Sequence, residues 1–235
     1  TNKVVKVSKV LNIGHGNGLT YNSKQKYLVA VHNTVYPKRL SVIDKKTLKV
    51  KWKVNVKIPS KLEGATSSQV KNIRKFGSIS YNRKRNVYVV LLSNSHDLMI
   101  LNSSFKPISY TKLSKKPPYI WQCIDVTDDY VMIGMSPNPN RSDQPDNIIT
   151  IYEWDGKHRF TIQVKAGDEL ESIYHIGPKL YAGFYTNDLH PYTWTERKTV
   201  KSGRLRMTKR VKKTEYRLVR SNHVYRVSNY GWEID

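Results

Sequence analysis

The chain has 235 residues and carries 41 Lys+Arg against 18 Asp+Glu, a formal net charge of +23 and a pI near 10.0. Its single cysteine, Cys123, excludes an intrachain disulfide framework, and no apolar run approaches the roughly 18 residues of a membrane-spanning helix. The length suits one large all-β domain or two small ones, while the charge speaks to partners and solubility rather than to fold.

The opening segment Thr1-Asn2-Lys3-Val4-Val5-Lys6-Val7 reads like Thr47-Leu48-Lys49-Val50-Lys51-Trp52-Lys53-Val54, so the chain is expected to begin on an outer strand. A four-stranded unit then recurs at a pitch of about 45–60 residues. Its first strand starts from a small residue: Gly18-Leu19-Thr20-Tyr21-Asn22, Ser78-Ile79-Ser80-Tyr81-Asn82, Cys123-Ile124-Asp125-Val126 and Ser172-Ile173-Tyr174-His175-Ile176. A more hydrophobic second strand follows each polar turn, over Tyr27–Val31, Val87–Leu92, Tyr130–Met135 and Lys179–Tyr185. Third strands are predicted at Leu40–Ile43, Leu98–Leu101, Ile148–Glu153 and His223–Val227, and fourth strands at Val50–Val56, Ile108–Leu113 and Arg159–Val164.

Short strands at this period, with no helical stretch between them, predict an all-β fold, a β-propeller of four-stranded antiparallel blades. The blades fall at 14–60, 74–115, 120–165 and 169–230 of a single domain spanning 1–235. The last blade lacks an evident fourth strand. Either residues 1–10 supply it and close a four-bladed ring, or a fifth blade precedes Thr1.

Basic residues crowd the turns, as in Lys24-Gln25-Lys26, Lys45-Lys46, Arg83-Lys84-Arg85 and Lys115-Lys116. They suit either a solvated face or contact with a polyanion: nucleic acid, an anionic wall polymer or an anionic membrane surface. No nucleic-acid module and no basic groove lined with stacking aromatics is legible, so no specific nucleic-acid partner is expected. The densest stretch is an insertion at 188–220 in the last blade. From Arg197 to Arg220 it holds Arg197, Lys198, Lys201, Arg204, Arg206, Lys209, Arg210, Lys212, Lys213, Arg217 and Arg220 against one acid, Glu215. Alternation in Arg204-Leu205-Arg206-Met207 and Tyr216-Arg217-Leu218-Val219 predicts a two-stranded excursion. Such a ribbon is either a polyanion contact or a plain solvated hairpin.

Aligning the blades on their first strands brings His15, Asn17, Lys75, Gln122, Glu169 and Glu171, with Trp121 nearby, to one mouth of the expected channel. Polar side chains and an aromatic face around a concavity suit a polar ligand such as a sugar. The alternative is that they satisfy one another and the strand ends. Glu169 and Glu171 are neighbours on one strand, whereas glycoside hydrolases set their carboxylates on opposite sides of the scissile bond. No metal-ligand cluster, nucleophile–His–Asp arrangement or phosphate loop is legible, so the chain reads as a non-enzyme with no cofactor. In the Pro/Asn/Asp-rich segment 136–147, Asp143 and Asp146 match no defined calcium loop, and a surface connection is expected.

Gly14-His15-Gly16-Asn17-Gly18-Leu19-Thr20-Tyr21-Asn22, Gln122-Cys123-Ile124-Asp125, Asn147 to Gly156 and Glu169-Leu170-Glu171-Ser172-Ile173 resemble motifs of secreted β-propeller proteins of lactobacilli and related Gram-positive bacteria, including the helveticin J family of large bacteriocins. The resemblance spans residues 1 to about 187 and the final strand; the motifs are more specific for fold than for activity. Cys123 stands where that pattern has glycine, and Gly18 where it has an acidic or amide residue. The resemblance implies an extracellular or wall-associated protein, five blades and no established enzyme activity. Together with the charge, it gives the expectation of a non-enzymatic propeller that binds an anionic or carbohydrate polymer of the bacterial envelope. A bacteriocin acting on competing cells and a hydrolase or lyase of wall polysaccharide are the alternatives.

Overall fold

The computed structural model describes residues 6–9, 11–13, 18–32, 36–144, 146–165, 169–202 and 205–227, with the side chains of 186–202, 205–211, 215–222 and 225 outside that description. Two units are distinguished, one of residues 1–184 and 224–235, the other of residues 185–223.

The first unit is a β-propeller built as successive antiparallel blades. Blade 1 comprises β1 (Gly18–Asn22), β2 (Tyr27–Val31), β3 (Arg39–Asp44) and β4 (Val50–Asn55), in that spatial order. Blade 2 follows as β5 (Phe76–Asn82), β6 (Val87–Leu92), β7 (Leu98–Asn102) and β8 (Pro107–Thr111). Blade 3 is β9 (Ile120–Val126), β10 (Tyr130–Ser136), β11 (Asn147–Glu153) and β12 (His158–Val164). The fourth sheet orders β13 (Glu169–Ile176), β14 (Lys179–Ser202) and β15 (Leu205–Arg226). Each of the first three blades is an up-and-down meander, as expected from the alternation of apolar runs and turn residues.

The turns explain why the strands stop where they do. At the end of β1 the Asn22 carboxamide oxygen accepts from the Lys24 and Gln25 backbone N–H groups at 3.0 and 2.8 Å, and Lys26 takes the left-handed conformation, φ 62°. Asn82 repeats this at the end of β5, accepting from Arg85 N–H at 2.7 Å, with Asn86 at φ 56°. An Asn that bonds its own following backbone closes a turn in place of the strand ladder. Asp44 and Asn102 do the same between the third and fourth strands, accepting from Lys46, Thr47, Ser104 and Lys106 N–H groups at 2.7–3.0 Å.

The core lies between blades. Strand β6 shows how: Val89 and Leu91 face blade 3, while Tyr88, Val90 and Leu92 face blade 1. Both faces of blade 2 are therefore buried, and its middle strands read as continuous apolar runs. Between blades 3 and 4 the cluster is built from Cys123, Met132, Ile149, Ile151 and Ile162 against Leu170, Ile173, Leu180, Ala182 and Phe184. The inner strands pack in sequence, β1 on β5, β5 on β9 and β9 on β13. Close approach there explains the small residue that opens each inner strand. A Cβ on Gly18 would stand 2.8 Å from the Ile79 backbone nitrogen.

Two features depart from the sequence reading. A short helix, α1 (Ser67–Lys71), stands between blades 1 and 2, although no helix was expected. Thr66 and Gln69 close its first turn as a capping box, each side chain bonding the other's backbone N–H. Residues 6–9 carry no strand, and the fourth sheet has three strands among the described residues; residues 1–5 and 10, the rest of the expected closing strand, lie outside them. The insertion at 188–220 runs along β14 and β15, which are neighbours in the sheet, in the two-stranded form expected of it.

The second unit, residues 185–223, consists of the far parts of these two long strands. Within it Lys212 and Lys213 are exposed.

Candidate functional site

Two residues after the small opening residue, each inner strand carries a side chain that differs from blade to blade: Thr20, Ser80, Asp125 and Tyr174. The structure makes the first three into clasps between blades. Thr20 Oγ1 accepts from the Tyr81 backbone N–H at 3.0 Å, joining β1 to β5. Ser80 Oγ donates to Asp125 Oδ1 at 3.0 Å, joining β5 to β9. Asp125 Oδ2 accepts from the His175 backbone N–H at 2.8 Å and lies 2.7 Å from His175 Nδ1, joining β9 to β13. The Val126 N–H completes the set at 2.9 Å on Oδ1. A carboxylate that is 3% exposed is thereby fully bonded, as burial of a charge requires.

Around this chain of bonds opens a cavity of about 620 Å³. All four inner strands contribute to its wall at their C-terminal ends, through Thr20, Tyr21, Ser80, Tyr81, Asp125, Tyr174 and His175 among others. Asp128 stands on the rim, accepting from Asn82 Nδ2 at 3.1 Å and paired with Lys84 Nζ at 3.6 Å. The hydrogen bond that the His175 imidazole donates to Asp125 raises its pKa above the ordinary value; burial opposes this, and the charges of Asp125 and Asp128 reinforce it. Burial raises the Tyr174 phenol as well, with the Asp125 charge adding to the effect. The imidazole is then held as a cation against a buried anion over a wider pH range than a free histidine.

The described residues among those expected at the channel mouth lie at the other, N-terminal end of the inner strands. Gln122 Nε2 donates to Glu169 Oε1, so these two meet across blades 3 and 4. Glu169 and Glu171 are both exposed on β13, on either side of buried Leu170. Trp121 is turned toward blade 2: its ring stacks on His96, with centroids 4.5 Å apart and planes within 6°, and its Nε1 donates to Pro117 O at 3.1 Å. Lys75 precedes β5, its carbonyl accepting from Ser93 N–H at 3.0 Å. His15 and Asn17 lie outside the described residues, as does Arg204; the side chains of Arg197, Lys198, Lys201, Arg206, Lys209 and Arg210 do as well. In the 136–147 segment Asp143 accepts two hydrogen bonds from the Arg141 guanidinium, at 3.0 and 2.8 Å. Among the described residues no three His, Cys, Asp or Glu stand close enough together to hold a metal ion.

A second surface stands out on the outer strand of blade 1. Residues 38–61 hold nine Lys+Arg and one acid, Asp44. Lys45, Lys46, Lys49, Lys51, Lys53 and Lys57 are exposed, and Trp52 is 43% exposed among them. None of these lysines enters an ion pair among the described residues. Their field reaches inward: burial first, then the charges of Lys53 and Arg39, depress the pKa of His32, whose Nε2 lies 2.7 Å from Ser41 Oγ. Sequence reading took Lys45-Lys46 as a turn; the lysine spacing along β4 was the signal for the larger patch.

No family model matches the chain, and no curated protein matches it. Solved structures with a similar course of chain include Hsv2 of Kluyveromyces lactis (13% identity, TM-score 0.40, covering 72% of this chain and 44% of that one). Hydrazine synthase of Kuenenia stuttgartiensis matches with 10% identity, TM-score 0.45 and coverage of 79% and 60%. Glutaminyl cyclase of Myxococcus xanthus matches with 13% identity, TM-score 0.47 and coverage of 77% and 66%. The chain spans less than two thirds of the length of each.

Proposed function

We propose that this propeller is a non-enzymatic binding protein that attaches to an anionic or carbohydrate polymer of the bacterial envelope, outside the cell. The supporting observation is the cationic outer strand of blade 1, where Lys49, Lys51, Lys53 and Lys57 are exposed without an ion-pair partner among the described residues, in a chain of net charge +23. Edge-strand lysines also discourage strand addition, yet that role needs one or two charges rather than the nine in this segment. Repeated weak contacts between such a row and a polymer of negative charge add up to retention while each remains individually small. The basic strands of residues 197–220 extend the same character.

Sedimentation with purified Gram-positive cell walls over a salt series tests this. Retention at low salt should fall steeply by about 1 M, where the Debye length shrinks to roughly 3 Å. Replacing Lys49, Lys51, Lys53 and Lys57 together by Gln should move release to lower salt. Retention that is absent at low salt, or unchanged at about 1 M, overturns the proposal.

A further inference from the structure

The central cavity has a different character from the outer surface. Its charged wall groups are Asp125, Asp128, Arg83 and His175, two of each sign when the imidazole is protonated. In a chain of net charge +23 this is a balanced enclave. Asp125 is spent on its four bonds, whereas Asp128, on the exposed rim, takes one contact on each oxygen, from Asn82 and from Lys84, and keeps lone pairs to accept. An anion gains little here over the lysine-rich exterior.

The polar groups that remain are directional. His175 commits Nδ1 to Asp125, and no described residue bonds its Nε2. Thr20 accepts through Oγ1 and keeps its proton to donate, whereas Ser80 donates and keeps its lone pairs. Tyr174 is 55% exposed although it lines a concavity, so its ring is open to a ligand and is not covered by the core. An uncovered aromatic face beside unspent donors and acceptors suits a ring with a C–H face and a hydroxyl edge. The volume, about 620 Å³, lies in the range of small-molecule sites.

We propose that this cavity binds a neutral saccharide unit, seated on the Tyr174 ring with its hydroxyls bonded to His175 Nε2 and the Asp128 carboxylate. The site is built by the inner strands and not by the cationic outer strand of blade 1, of whose surface Lys45 reaches the cavity wall at Tyr21 Oη. A propeller with both would hold a charged polymer by its exterior and read a sugar at its centre.

Saturation-transfer NMR with glucose, galactose, N-acetylglucosamine and their β-linked disaccharides, and with glucuronate as the anionic probe, tests it on the full chain. At least one neutral saccharide should show transfer that persists from low salt to about 1 M. Tyr174→Ala should weaken that binding by about tenfold or more and Tyr174→Phe should retain it. Asp128→Asn, on the exposed rim, should weaken it too and serves as the second variant if Tyr174→Ala lowers the melting temperature. Absence of transfer from every neutral saccharide, transfer that survives both Tyr174→Ala and Asp128→Asn, or transfer confined to glucuronate and lost in salt overturns the proposal. Wall retention by Tyr174→Ala should keep its salt dependence, so failure of the cavity and failure of the cationic surface are read separately.

Discussion

Asp125 and His175, on the inner strands of adjacent blades, are joined twice through one oxygen: Oδ2 accepts from the His175 backbone N–H at 2.8 Å and lies 2.7 Å from its Nδ1. The other oxygen reaches back to Ser80, so one side chain ties three blades together.

That position makes Asp125 the most sensitive polar residue of the propeller. Asp125→Ala leaves the His175 N–H, its imidazole and the Ser80 hydroxyl without their acceptor in a buried setting. Breaking a buried pair from one side costs about 3–5 kcal/mol. Asp125→Asn keeps an acceptor oxygen and should cost about 1–3 kcal/mol. Urea denaturation of the two variants should give that order; a loss below about 1 kcal/mol in Asp125→Ala would show that the clasp adds little.

The histidines should divide in a pH titration. Asp125 holds the His175 pKa above its ordinary value, so the folded state binds that proton more tightly than the unfolded chain. Its contribution is complete below the unfolded value of about 6.5 and is lost as pH rises through the raised folded value. His32 behaves in the opposite way, depressed by burial and by Lys53 and Arg39; His96 is depressed by burial and Lys116, against Asp97. Each contributes stability that is present above about 6.5 and is lost as pH falls through its lowered folded value. NMR titration of the ring Cε1–H signals should place His175 above about 6.5 and the other two below. In His175→Gln the stability loss on the alkaline side should disappear.

Most of the strand framework was legible because both faces of the inner blades are buried. Val87 to Leu92 and Leu98 to Leu101 had to be apolar runs, and Asn22 and Asn82 had to close their turns. Helix α1 escaped because five residues are too few to show a helical period; the Thr66–Gln69 capping box was its available signal. The candidate site was harder. The alignment set Gln122 level with Glu171, whereas its side chain donates to Glu169, and the expected site lay at the N-terminal ends of the inner strands while the cavity opens at the C-terminal ends. A polar residue near the end of an apolar strand, such as Asp125, gains its meaning from a partner 50 positions away, and local pattern carries no trace of such a partner. The aligned set Thr20, Ser80 and Asp125 did hold the clue, being hydrogen-bonding residues at one offset in three apolar strands.

Cys123 should be chemically silent in the native protein. It is buried against Gly134 and Leu170, and burial pushes its thiol pKa far up, so almost no thiolate is present at neutral pH. An aromatic disulfide reagent should react with it at the rate of unfolding in buffer and at once in denaturant. Rapid reaction of the folded chain would mean that the interface between blades 3 and 4 opens locally.

The same interface tests how tightly the inner strands are packed. A Cβ placed on Gly134 would stand 2.5 Å from Cys123 Sγ and 2.9 Å from Leu170 Cδ2. Gly134→Ala therefore overpacks the site, at a cost of about 1–3 kcal/mol. Leu170 is a flexible end and can give way, whereas the sulfur is held by a short side chain on a strand paired to β10. Removing the sulfur should then relieve the added methyl. Cys123→Gly alone should destabilise, through lost packing and a freer unfolded chain. Combined with Gly134→Ala it should cost at least about 0.5 kcal/mol less than the sum of the two single changes. Additive losses in urea denaturation would instead show that the strain falls on Leu170 and β13 and not on the sulfur.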